Sequence, residues 1–147
     1  MSIKFINSLV FDIYLKKEIL DDVNFKDKDI MEKYLKNLFK KIKEKYDITI
    51  EGFYDIDIYI DKYYGVILHL EKEDLDYYEC FRNQVDMRIT LQNINFLYLV
   101  EDIPKDILNK VKIEVKNNNI YLKIIKPLNN LEMMKLLENS KIVYGVV

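Results

Sequence analysis

The run Tyr54-Asp55-Ile56-Asp57-Ile58-Tyr59-Ile60-Asp61, followed by Lys62-Tyr63-Tyr64-Gly65 and then by Val66-Ile67-Leu68-His69-Leu70-Glu71, decides the fold class. Isoleucines recur at every second position between acids and a tyrosine, the period of a strand with one buried face. The second run is apolar over the same length. Gly65 between them supplies the positive φ that a short reversal commonly needs. A β-hairpin is the reading, with Ile56, Ile58 and Ile60 sharing an inner face with Val66, Leu68 and Leu70. The pleat then sends Asp55, Asp57, His69 and Glu71 together to the outer face.

Upstream, Leu9, Phe11, Ile13 and Leu15 alternate with Val10, Asp12, Tyr14 and Lys16, and a strand is expected from about Lys4 to Lys16. From Asp27 to Tyr46 the period becomes helical. Ile30, Met31, Tyr34, Leu35, Leu38, Phe39, Ile42 and Tyr46 form an apolar stripe, with Asp27 as N-cap and Asp29 and Glu32 at the positive end of the helix dipole. Downstream, residues 73–83 read as a short acidic helix. Val85 to Gln92 and Phe96 to Val100 read as two strands of a hairpin. Pro104 opens a short helix to about Lys110. Lys112–Lys116 and Ile120–Lys126 flank Asn117-Asn118-Asn119 as a further hairpin. Asn130 caps a helix through Leu131, Met134 and Leu137, and Ile142–Tyr144 adds an edge strand. The whole is expected to be a single α+β domain over residues 1–147. Its mostly antiparallel sheet would have about six to eight strands, with the long helix and two or three short ones packed on it.

At 147 residues, half of them apolar and a third charged, the chain is long enough to bury a core without disulfides or metals. Its net charge of −2 and pI near 5.5 argue against wholesale polyanion binding. One cysteine, Cys80, excludes an intramolecular disulfide and fits a reducing compartment. The opening MSIKFINSLVFDIYLKK does not read as a signal peptide, and no run of about 18 apolar residues occurs. A cytoplasmic protein without a membrane span is expected.

Catalytic vocabulary is sparse: one His, one Cys, and Ser at positions 2, 8 and 140. Structural Cys/His zinc is excluded by count, and no Gly-rich phosphate loop occurs among Gly52, Gly65 and Gly145. Asp55-Ile56-Asp57-Ile58 resembles an acid-bearing nucleotidyltransferase strand, but the stretch Lys43-Glu44-Lys45-Tyr46 stands where a Gly-Ser pair would be. Glu114-Val115-Lys116, with Asp102 or Asp106, matches a nuclease E-x-K step without further support.

Three surfaces are left. Asp55, Asp57, His69 and Glu71 could hold a divalent metal for a hydrolase or nuclease. Lys33, Lys36, Lys40 and Lys43 form a basic stripe on the long helix, a route to nucleic acid. Glu71, Glu73, Asp74, Asp76 and Glu79 surround Tyr77, Tyr78 and Phe81, an acidic and aromatic surface suited to a basic protein partner. The expected role is a non-enzymatic, cofactor-free protein-binding module of the inhibitor, immunity or adaptor type that uses this last surface. The metal-dependent enzyme is the alternative.

Overall fold

The computed structural model describes residues 1–73, 85–92 and 96–144, and the chain divides into two compact units, residues 1–93 and 94–147. The class is α+β, with two mostly antiparallel sheets of five and four strands in place of one.

In the first unit, β1 (Ser2–Phe5) and β2 (Val10–Lys16) form a hairpin where the sequence period suggested one long strand. The break is local: the Asn7 side chain accepts from the backbone N–H groups of Leu9 and Val10 at 2.8 and 3.0 Å, folding the chain back. A short helix α1 (Ile19–Asp22) leads to α2 (Lys28–Tyr46). Asp27 caps α2 as expected, accepting from the backbone of Asp29 and Ile30. Asp47, in left-handed conformation, ends the helix.

β3 (Gly52–Asp61) and β4 (Gly65–Lys72) form the expected hairpin. The Asp61 side chain accepts from the backbone of Tyr63 and Tyr64 at 2.7 and 3.0 Å. Gly65 has φ +126°, and a Cβ there would lie 2.2 Å from the Leu15 carbonyl oxygen of β2. Both conformation and space therefore require glycine. The sheet order is β1-β2-β4-β3-β5, where β5 is Val85–Gln92. β5 pairs parallel to β3, with Ile56 opposite Ile89, and not with the strand that follows it in sequence. This corrects the expected hairpin of residues 85–100. Local alternation marks a strand but carries no information on which neighbour it pairs with.

The core lies on one face of this sheet. Phe11, Ile13 and Leu15 of β2, Ile56 and Ile58 of β3, and Val66, Leu68 and Leu70 of β4 pack with Met31, Leu35, Leu38, Phe39 and Ile42 of α2. Of the expected helix stripe, Ile30 and Tyr46 at its margins stay exposed.

In the second unit the sheet order is β7-β8-β6-β9, built from β6 (Phe96–Val100), β7 (Val111–Lys116), β8 (Asn119–Ile124) and β9 (Ser140–Tyr144). A 3-10 helix, Lys105–Lys110, follows Pro104. β7 and β8 meet through Asn117-Asn118, with φ of 51° and 64°, the left-handed pair of a two-residue hairpin turn. Helix α3 (Asn130–Glu138) is capped by Asn129, one residue earlier than expected. The Asn129 side chain accepts from the Glu132 N–H while Glu132 accepts from the Asn129 N–H, a capping box. Its buried face carries Leu136, while Leu131 and Met134 are exposed.

Candidate functional site

The site is the outer face of the five-stranded sheet, and strand register builds it. Lys4, Asp12, His69, Asp57 and Thr90 fall in one row across β1, β2, β4, β3 and β5. A second row runs Val10, Glu71, Asp55 and Arg88, and a third runs Ser2, Tyr14, Ile67, Tyr59 and Gln92. Even-numbered positions of β2 and odd-numbered positions of β3 and β4 occupy this face because their neighbours are committed to the core.

At its centre lies a pair that sequence reading did not join. His69 Nδ1 stands 2.6 Å from Asp12 Oδ1, and His69 Nε2 stands 3.1 Å from Glu71 Oε1. Asp12 is 5% exposed, whereas the Glu71 side chain is 60% exposed. Both partners of the ring are carboxylates, which accept, so the imidazolium with both N–H groups donating satisfies the arrangement. Burial by itself depresses the His69 pKa, but the hydrogen bonds to Asp12 and Glu71 and the attraction of their charges outweigh it and raise the pKa above its ordinary 6.5. A lone acid amid an otherwise apolar strand, Phe11-Asp12-Ile13, was the available signal for Asp12. The partner was 57 positions away, beyond the reach of any local pattern.

The other acids of the face are also held. The Gln92 amide donates to Asp57 Oδ1 at 3.0 Å, and the Arg88 guanidinium lies 3.6 Å from Asp55. A hydrogen bond shared with Asp55 raises the Glu73 carboxyl above the usual range, with Glu71 adding repulsion. Arg88 also lies over the Phe53 ring, 5.7 Å from its centroid. Tyr14 and Tyr59 flank the wholly buried Ile67. Burial pushes the hydroxyl of Tyr64 up to about 12, with Tyr14 close enough to contribute.

The structure thus brings Asp55, Asp57, His69 and Glu71 to one face, where His69 and Glu71 bond to each other while Asp55 and Asp57 turn to Arg88 and Gln92. Among the described residues no group of three His, Cys, Asp or Glu side chains is arranged to hold a metal ion. Of the acidic and aromatic stretch, Glu71 and Glu73 belong to this face. Asp74, Asp76, Tyr77, Tyr78, Glu79 and Phe81 lie outside the described residues, as does the helix expected over 73–83, apart from Glu73 itself.

The basic stripe is separate. Lys36, Lys40 and Lys43 of α2 line a groove of about 480 Å³ with Phe39, Ile50 and Val85, and Lys36 pairs with Glu32 at 3.0 Å. In the E-x-K segment, Glu114 approaches Lys112 at 4.0 Å and Asp106 approaches Lys135 at 3.9 Å. No helix among the described residues is long and apolar enough to cross a membrane.

Comparison of the chain with family models, curated proteins and solved structures finds no match.

Proposed function

We propose that this chain is a non-enzymatic protein-binding module of the inhibitor, immunity or adaptor type, working in the cytoplasm on a partner with a basic surface. The observation that supports this reading is the outer sheet face itself. Asp55, Asp57, Asp61, Glu71, Glu73 and Asp86 outnumber Lys4, Lys16 and Arg88 there, and Phe53, Tyr14 and Tyr59 interleave with them. Acids steer a basic partner toward the face, and the rings supply area that can be desolvated at small entropic cost. Asp57 and Glu71 are already oriented by hydrogen bonds and Asp55 by an ion pair, so less ordering remains to be done on binding. The residues Asp74, Asp76, Tyr77, Tyr78, Glu79 and Phe81 continue the same composition directly after Glu73 and belong to the proposed contact surface.

The test is affinity purification from the native cell with three chains: wild type, Glu71→Lys/Glu73→Lys, and Asp74→Lys/Asp76→Lys/Glu79→Lys. A partner retained by wild type and lost by both reversals, with both variants still folded at the binding temperature by circular dichroism, supports the reading. A partner that both reversals retain removes it. A control chain, Lys36→Glu/Lys40→Glu/Lys43→Glu, should keep the partner, and its selective failure would place binding on α2 instead.

A further inference from the structure

The second unit ends in an edge that is not protected in the usual way. β7 is terminal in the order β7-β8-β6-β9, and among the described residues no strand pairs with its outer side. Its apolar residues Ile113 and Val115 are 41% and 71% exposed. Exposed strand edges are commonly blunted with lysine, which repels a second copy. β7 carries Lys112 and Lys116, but Glu114 stands between them on the same face, 4.0 Å from Lys112.

The backbone is set for pairing. Lys116 and Asn119 flank the two-residue turn as partners. In such a hairpin that pair exchanges both its hydrogen bonds, so Lys112, Glu114 and Lys116 direct their N–H and C=O groups toward β8. Val111, Ile113 and Val115 direct theirs outward.

We propose that β7 pairs antiparallel with β7 of a second copy of this chain, joining two four-stranded sheets across a two-fold axis that passes by Ile113. In this register Ile113 faces its own mate and Val111 faces Val115, so every outward backbone group in the strand has a counterpart. Lys112 falls opposite Glu114 of the copy, and Glu114 opposite Lys112, at the closer-spaced non-hydrogen-bonded positions. Lys116 falls opposite Lys110, whose ammonium is already neutralised by Glu132 at 2.8 Å. Shifting the register by two residues one way would set Glu114 against Glu114 and Lys112 against Lys116, and the other way would set Lys112 against Lys112 and carry Val115 past the end of the partner strand, so charge and strand length together select one alignment. The contact is isologous and closes on itself, because each copy uses its own β7 edge and neither offers that edge to a third.

Sedimentation of the full chain over a wide concentration range tests this. Wild type is expected to form a dimer. Glu114→Lys, which makes both cross-strand pairs repulsive, should weaken it by about tenfold. The exchanged chain Lys112→Glu/Glu114→Lys should dimerise again, yet form mixed dimers with wild type about tenfold less readily than either forms its own when the two are combined and examined by native mass spectrometry. That last arm uses only chains that dimerise by themselves, so loss of folding cannot produce it. A wild-type chain that stays monomeric, a dimer indifferent to Glu114→Lys, or free mixing of exchanged and wild-type chains would each overturn the proposal.

Discussion

Hairpins β3–β4 and β7–β8 both set apolar residues at alternate positions, yet Ile58 in β3 is fully buried while Val115 in β7 is 71% exposed. The difference does not come from the strands. β3 and β4 lie inside their sheet, with α2 laid across one face, whereas β7 lies at the margin of its own sheet. The turns differ accordingly. The β3–β4 loop is pinned by Asp61 and by a glycine that β2 presses against, while the β7–β8 loop uses two asparagines in left-handed conformation. An alternating pattern therefore specifies two faces, and the covering element decides which one becomes core.

The largest effect that would break this comparison is expected at the turns. Gly65→Ala places a Cβ against the β2 backbone in a conformation that costs about 1–3 kcal/mol, with a further cost of about 1–3 kcal/mol for the displaced strand. Asn118→Gly in the other turn should be nearly neutral, within about 0.5 kcal/mol. Urea unfolding of the two variants measures both, and equal losses would mean that the turns are equivalent. Next come the strands: Ile58→Ala should cost about 2–5 kcal/mol, and Val115→Ala no more than about 0.5 kcal/mol. Similar midpoints for the two would show that β7 is buried in solution, as dimerisation at high concentration would produce.

The smallest effect sharpens the contrast between the two faces of the first sheet. The folded-state pKa of His69 is raised, so its contribution to stability is complete below about 6.5 and is lost as pH rises through the higher folded value. Wild type should therefore lose stability relative to His69→Gln between slightly acidic and alkaline pH. Thermal midpoints of the two chains across that range check the sign. A parallel pH dependence in both would mean that the Asp12–His69–Glu71 bridge contributes nothing.

Much of the fold was legible because its determinants are local. The cap and buried stripe of α2, the turn at Gly65, and the inward isoleucines of β3 each follow from residues within a few positions of one another. The boundary between β1 and β2 was missed because apolar Phe5, Ile6 and Leu9 carry the pattern across Asn7, whose side chain makes the reversal. The spacing of Leu131, Met134 and Leu137 marked α3 as a helix but not its buried face, because the residues around Leu136 fit a helical stripe equally well and only the packing surface chooses between them. For the site, the shared face of Asp55, Asp57, His69 and Glu71 was readable from the pleat. Asp12 as the partner of His69, Gln92 as that of Asp57 and Arg88 as that of Asp55 were not.

By itself the amino-acid sequence determined the local periods, the turns and the polar character of one hairpin face, since these depend on backbone geometry and side-chain spacing within a short stretch. Only the tertiary structure decided that β5 lies parallel to β3, that the strands divide between two sheets, and that His69 bridges Asp12 and Glu71. Those outcomes depend on which strand becomes whose neighbour, and that is settled by burial and register summed over the whole unit, a quantity no single segment contains.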